Sequence, residues 1–584
     1  MPLTQKTWFE NATGISLLPP ELMHHIIEYL GPMDQLALSH VDKQRYAFQQ
    51  TDNLRDNRQR AIRIQAVWRH LTTPQSHQSS PAQQVGSVVE GLAPVFDFLD
   101  RRQKEWLVTA AEGIEEASDR ASALADFMPG LAAMDPALHQ RLIGAIETVG
   151  DELQRGLAAS WSGCGLGVLD LALQTRLVQV VEGVDGYARA LAVAGLAPWL
   201  SKLDGTLHAR LLTAATGIED EPDRADALGA LGAGLADLDP ALHEGLVSAV
   251  LGLAEPPDRA RAIAGLGPGL AKLDPGLQER LIAAAVAIPA DNNDESDRAV
   301  AIAGLAAGLA ALAKPLQERL VAAAIILASQ PDRAQALAGF GPGLAHSDST
   351  LHPRIVTAAI DLEEDARAIA LAGLGAGLQS LDAVRLDAVI TAIAGINDSG
   401  SRATALAGLK SGLAGLDSLH LERIFTAIGG VGIPHIEETL QSLAPTLAEL
   451  VPDLHERLIE TAERAAVAAR ATALAAFGPV LGKFARELHP RLVNAVVGLT
   501  DESRRANALA GFGAGVHALD AALHDPLISA VEAILDEHDR ATALAGFGPS
   551  LSKMRPDLQQ RLFQAAERIN EPQPRAWALA RLAR

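Results

Sequence analysis

PPDRARAIAGLGPGLAKLDPGLQERLIAAAVAI, residues 256–288, reads as two short amphipathic helices joined by a tight turn. Asp258, just ahead of Arg259, is placed to cap the first helix through its carboxylate. Ile263, Leu266 and Leu270 then follow at helical spacing along one face. Asp274-Pro275 supplies an N-cap and a proline suited to a first helical position, so a second helix begins there. Its apolar residues Leu277, Leu281, Ala285 and Ile288 share one face. The unit is a helical hairpin whose apolar stripe is covered only by a neighbouring unit.

Such neighbours exist on both sides. Arg224 and Arg259 are 35 residues apart, as are Arg298 and Arg333, and Arg367 and Arg402; Arg470, Arg505, Arg540 and Arg575 keep the same step. Arg120, Arg155 and Arg189 extend the series backwards, Val85 holds the matching position of the first unit, and His435 stands where an arginine is due. The one long step, from Arg259 to Arg298, contains PADNND (289–294), which reads as a loop insertion. A period near 35 is the mark of a solenoid. The expected fold is all-α: a right-handed α-solenoid of about fourteen repeats and a terminal fragment over 85–584, with a smaller helical module before it. With stacked helices about 8–10 Å apart, the rod would run roughly 120–140 Å.

Two recurrences narrow the type. Proline falls near nine residues after the marker arginine (Pro94, Pro129, Pro198, Pro268, Pro342, Pro479, Pro549), where it is expected to kink the first helix. Aspartate falls six residues before a second arginine: Asp135 and Arg141, Asp170 and Arg176, Asp204 and Arg210, Asp274 and Arg280, Asp348 and Arg354, Asp417 and Arg423. A proline-kinked first helix with an Asp/Arg ladder resembles HEAT and armadillo repeats, although these units are shorter and their proline-to-Asp spacing tighter. A tetratricopeptide-like unit is the alternative.

The remaining patterns argue against chemistry. Histidine precedes the ladder arginine by two at His139, His208, His243, His352, His455, His489 and His524, but Gln174, Gln278, Gln317 and Gln559 take the same place. Gln shares the hydrogen bonding of His and is a poor metal ligand, so the position reads as structural. The strings GLGPGL (265–270) and GFGAGV (511–516) follow no predicted strand, so they suit close helix packing rather than phosphate. Cys164, the single cysteine, excludes an intramolecular disulfide and a cysteine-built zinc site, and reads as a packing residue. A site hidden among the degenerate residues Trp161–Asp170 would need convergent titratable groups, and none is seen. No catalytic residue, metal site or cofactor is expected. The acidic runs Glu219–Glu221 and Asp361–Asp365 read as solvated loop tips that cap the next helix, the functional alternative being a negative edge that selects a basic partner.

Length and composition agree. The 584 residues are too many for one core, aromatics make up 4 %, and the net charge is −22. That charge opposes nucleic acid and anionic membrane surfaces. No apolar run long enough to span a bilayer stands out, and the first residues lack a signal-peptide core, which points to a cytoplasmic protein, monomeric on its own.

The N-terminal zone differs. Residues 1–71 are richer in aromatics, and residues 72–84, TTPQSHQSSPAQQ, read as a flexible linker. LLPPELMHHIIEYLGPMDQLALSHV (17–41) breaks into short helices at Leu18-Pro19, Gly31-Pro32 and Asp34, too small to cover their own apolar surface. Here Leu18, Pro19, Glu21, Leu22, Ile26, Ile27, Leu30, Asp34, Leu36 and Val41 resemble the F-box motif, a three-helix module. The resemblance implies that these ten residues dock the Skp adaptor of an SCF ubiquitin ligase. The aromatic expected after Val41 falls ambiguously on Arg45 or Tyr46. Further on, AIRIQAVWRH (61–70) is similar to half of a calmodulin-binding IQ motif, lacking its glycine and second basic residue. It reads better as a basic helix that either packs against the acidic repeats or bridges the F-box-like segment and the linker; seven Lys/Arg face three Asp between Asp42 and His70.

An F-box followed by a solenoid is the plan of a substrate receptor. The Ala-rich repeats resemble bacterial (type III-type) F-box effectors, which implies action on ubiquitination in a host cell, in its cytoplasm or nucleus. An unidentified protein target is expected on the concave face. The rival expectation is a scaffold or inhibitor that binds a host protein independently of ubiquitination.

Overall fold

The computed structural model describes Phe96 and residues 99–583, apart from 290–294, 430, 432–434 and 451–453. The ten F-box residues, the basic segment 61–70, the linker 72–84, Val85 and Pro94 lie outside the described residues, as does most of the loop at 289–294. Among the described residues every regular element is helical. Thirteen complete repeats run from Ala117 to Glu567, with a second helix Arg101–Glu112 before them and a first helix Pro572–Ala583 after them. The α-solenoid expected from the 35-residue period is the observed architecture.

The repeat has three parts rather than two. In residues 256–288 the first helix is Pro256–Gly265, a 3₁₀ segment follows at Gly267–Lys272, and the second helix is Pro275–Val286. The prolines therefore do not kink the first helix. Pro129, Pro198, Pro268 and Pro479 each open a separate 3₁₀ segment, and Pro342 and Pro549 open a four-residue helical turn. A residue without an N–H and with φ fixed near −65° is tolerated in a first turn, so the chain restarts there instead of bending. Ile263, Leu266 and Leu270 are all buried, but Leu266 ends the first helix and Leu270 belongs to the 3₁₀ segment.

Asp274 caps the second helix as expected, accepting the N–H groups of Gly276 and Leu277 at 2.8 and 3.1 Å. Asp258 does not cap the first. That helix starts two residues earlier at Pro256, with Glu255 at the N-cap, and Asp258 lies buried in the first turn, where loss of solvent raises its carboxyl pKa. Proline at the first helical position sets the start more firmly than a possible cap two residues later.

Glycine lets successive first helices and 3₁₀ segments touch through their backbones. A Cβ on Gly267 would lie 1.8 Å from the Gly304 carbonyl oxygen of the next repeat, and one on Gly304 2.2 Å from Ala264 Cα of the repeat before. The glycine strings are thus packing devices, as their recurrence suggests. Second helices are bridged by long side chains instead. Of two stacked layers, the one with the shorter step lies inward where a solenoid curves.

Candidate functional site

The marker arginine joins one repeat to the next. Arg259 donates to the Leu253 carbonyl at 2.7 Å, Arg224 to Ile218 at 2.6 Å, Arg505 to Leu499 at 2.8 Å and Arg540 to Ile534 at 2.9 Å. Each guanidinium satisfies carbonyls left open just beyond the preceding second helix, and so fixes the turn into the next repeat. The acidic tips act across the same joint. Glu221 accepts the Glu255 N–H at 2.6 Å, and Glu364 accepts those of Asn397 and Asp398 at 3.3 and 3.2 Å. These backbone donors hold the Glu364 carboxyl below its usual range.

The Asp/Arg ladder is wired differently from the sequence expectation. Arg141 pairs with Glu112, not Asp135; its Nε–Oε1 and Nη2–Oε2 distances are 3.0 and 2.5 Å. Arg210 pairs with Glu182 at 2.8 and 2.6 Å, and Arg176 with Glu147 at 2.7 and 2.6 Å. Arg280 reaches Glu244 at 2.7 Å. The aspartates do other work: Asp204 and Asp274 cap their helices, Asp348 pairs with Lys314, and Asp135 lies 3.4 Å from Arg101. Among the described residues no ion pair joins Asp135, Asp204, Asp274 or Asp348 to the arginine six positions on; Arg354 lies in the second helix His352–Ile360. The cause is direction: a carboxylate at a helix N-cap turns to that helix's own N–H groups, while an arginine one turn in projects sideways to the neighbouring helix. The readable signal was the acidic residue 28–29 positions upstream of Arg141, Arg176, Arg210, Arg491 and Arg561.

The His/Gln position is a buried tie in most repeats, although the Nε2 of His243 and both ring nitrogens of His524 are buried without a hydrogen-bond partner among the described residues. His139 Nε2 lies 2.9 Å from the Leu131 carbonyl, His208 3.2 Å from that of Leu200, and Gln278 Nε2 donates to Leu270 at 3.0 Å and Leu273 at 3.1 Å. His and Gln thus hold the same 3₁₀ segment onto the second helix. Among the described residues no three His, Cys, Asp or Glu side chains are grouped to hold a metal ion.

Cys164 is not a packing residue. It is exposed, because it takes the place that proline holds in other repeats, and Pro129, Pro198 and Pro268 are exposed there too. Partial burial by its neighbours still raises the thiol pKa.

Around it the surface departs from the repeat pattern. Trp161 stands where aligned repeats place Gly195, Gly265 or Gly304, and Trp199 where they place Gly165, Gly234 or Gly269. The two rings remain 43 % and 39 % exposed. Trp199 lies against Gly163, where an added Cβ would come within 2.3 Å of its ring. Leu153, half-buried Leu157 and Trp161 follow at i, i+4 and i+8 on Glu152–Trp161; Tyr187, 56 % exposed, and half-buried Leu191 repeat the stripe on Gly186–Leu196. In the next repeat the position of Leu157 and Leu191 is Asp226. The result is an aromatic and aliphatic patch confined to two adjacent repeats.

Residues 15–41 match the F-box domain, a segment that contains all ten docking residues read from the sequence. No curated protein matches the chain. Similar solved structures include Kap121p, 13 % identical with a TM-score of 0.38, the match covering 94 % of this chain and 66 % of that one, so that the chain spans just under two thirds of Kap121p. The karyopherin Kap121p bound to the SUMO protease Ulp1p is 10 % identical with a TM-score of 0.38, over 98 % of this chain and 76 % of that one. A homology model of the full-length AP-3 complex gives 13 % identity and a TM-score of 0.26, over 83 % and 93 %.

Proposed function

We propose that this chain is a non-catalytic substrate receptor of an SCF-type ubiquitin ligase. In this reading residues 1–71 form the docking module, 72–84 the linker and 85–584 the target-holding solenoid. Leu18, Pro19, Glu21, Leu22, Ile26, Ile27, Leu30, Asp34, Leu36 and Val41 contact a Skp-type adaptor, and the concave face of the solenoid presents a protein target. The observation that carries it is the F-box match at 15–41 ahead of a stack of protein-binding architecture. Nothing is transformed by the chain itself; holding a target beside a ubiquitin-charged enzyme raises its effective concentration. The Ala-rich composition supports the finer reading of a bacterial effector acting in a host cell.

The test is a pull-down of purified chain, wild type against Leu18→Ala/Pro19→Ala, with a eukaryotic Skp adaptor. Capture by the wild type and loss in the folded variant supports the receptor; no capture by folded wild type overturns it. The exposed aromatic patch favours one second reading, a scaffold or inhibitor. For that reading, target binding and biological effect would survive Leu18→Ala/Pro19→Ala.

A further inference from the structure

The patch on Glu152–Trp161 and Gly186–Leu196 calls for an occupant. Tryptophan at two positions that most other repeats keep as glycine or another small residue packs in part on the neighbouring repeat, as Trp199 does on Gly163, yet leaves 43 % and 39 % of the two residues in solvent. Exposed Trp and Tyr backed by aliphatic side chains is the composition of a binding hot spot.

The charge around the patch selects the occupant's chemistry. Asp151, Glu152 and Asp185 lie exposed at the helix starts. The basic residues offset part of that charge: Arg189 pairs with Asp185 at 2.7 Å and Arg155 lies 3.7 Å from Glu152. Both also donate to backbone carbonyls, Arg155 to Val149 at 3.0 Å and Arg189 to Val184 at 2.7 Å, so that among the described residues Asp151 is the acid left without a cation on this flank. On the other flank Asp223 Oδ2 is 3.4 Å from where a Cβ on Gly186 would sit, beside Tyr187, with Asp220 close enough to add to the negative field, whereas Asp226 pairs with Arg261 at 3.0 Å. The fitting occupant therefore has apolar anchors and several cations, and the Trp faces themselves attract guanidinium groups.

One segment of this chain has that chemistry. Residues 54–71, LRDNRQRAIRIQAVWRHL, carry Arg55, Arg58, Arg60, Arg63 and Arg69 against the single Asp56. Ile64, Val67, Trp68 and Leu71 are spaced as one helical face. The tether fits as well. Between Leu71 and Phe96 stand residues 72–95, whose root-mean-square span as a flexible chain is roughly 27 Å. The patch lies two to three repeats beyond Phe96, a distance of roughly 20–30 Å at the usual helix spacing. A tether whose span matches the gap gives millimolar effective concentration.

We propose that residues 54–71 dock in cis across Leu153, Trp161, Tyr187 and Trp199. The inference goes beyond the receptor reading, because it concerns only which segment covers the patch, with or without a bound Skp adaptor.

Cys164, the single cysteine, already lies in the patch and serves as the probe. In full-length protein it is coupled to a benzophenone maleimide, irradiated at low protein concentration, and the adduct mapped by mass spectrometry. The expected product is an intramolecular cross-link into residues 54–71, lost in Ile64→Asp/Trp68→Asp. In unmodified protein the same variant should also quicken maleimide labelling of Cys164 severalfold, and so should Arg58→Glu/Arg63→Glu. A wild-type cross-link elsewhere, or none, together with equal labelling rates, overturns the proposal; a product of twice the chain mass assigns the patch to a second copy instead. Adaptor capture is read in parallel. Absence of the cross-link in wild-type protein that still captures the adaptor refutes only the cis contact, and a wild-type cross-link without adaptor capture refutes only the receptor.

Discussion

A buried histidine and a glycine show how much one residue decides. His139 ties the second helix to the Leu131 carbonyl from a site that glutamine fills in other repeats. His139→Gln should change stability by less than about 0.5 kcal/mol, whereas His139→Leu leaves that carbonyl unpaired and should cost about 1–3 kcal/mol. Thermal unfolding of the pair checks this, and equal losses would refute the tie. At Gly267 an added methyl meets the Gly304 carbonyl at 1.8 Å, so Gly267→Ala forces two backbones apart and should cost about 1–3 kcal/mol. Gly205→Ala is the control: nothing lies within 4 Å of its Cβ position and its φ is not left-handed, so that variant should hold or slightly gain stability. Neither the tie nor the backbone contact needed a structure to be suspected, since the His/Gln exchange and the recurring glycines state them in the sequence. Cys164 did need one. A lone apolar-looking residue in a glycine-rich string says nothing of which way it points, and only its place in the proline register turns it outward.

At the scale of the element, the sequence disclosed the helices but not their ends. Hydrophobic spacing located Pro256–Gly265 and Pro275–Val286, because periodicity depends on burial by neighbours and every repeat has the same neighbours. It missed the break at Pro268, where Leu266 and Leu270 keep apparent helical spacing across two separate elements. It also missed the Glu–Arg bridges, whose partner stands 28–29 positions upstream on the preceding second helix rather than six positions away at the arginine's own helix start. These junctions make the fold acid-sensitive in a defined direction. Burial lowers the pKa of His352, and burial aided by Lys553 lowers that of His517, so the unfolded chain takes up protons first as pH drops below about 6.5. The stability these neutral rings contribute is present above that value and lost as pH falls through their lowered folded values. Glu463, held down by Arg491, and Glu364, held down by backbone donors, act in the same sense below about 4.5. Asp223, Asp258 and Asp539 oppose them there, since burial raises their pKa values. Melting temperature should therefore fall from pH 7 to pH 5, and His352→Gln should flatten part of that slope. A melting temperature independent of pH across this range would refute the assignment.

The whole molecule is a chain of interfaces, and its behaviour is set by the weakest one. Along the stack, an arginine clamp, a glycine contact and a proline-opened or glycine-rich short segment recur at successive joints. The repeat at Ile436–Leu450 has lost all three. His435 replaces the arginine, Gln441 and Leu443 occupy glycine registers, and the helix runs unbroken through Pro445. A proline inside a helix removes one backbone hydrogen bond and strains the turn before it. Coupling through this repeat should be weaker than through any neighbour, so the solenoid should unfold as two cooperative blocks, one ending near Ile428 and one beginning near His455. Calorimetry should resolve two transitions, with hydrogen exchange faster over 436–450 than over Ser399–Gly408 or Val467–Phe477. Gly267→Ala then becomes diagnostic, because it should lower the transition of the first block and leave the second in place. A single transition whose calorimetric and van't Hoff enthalpies agree would refute the division. Two transitions that both move with Gly267→Ala would place the weak joint elsewhere in the array.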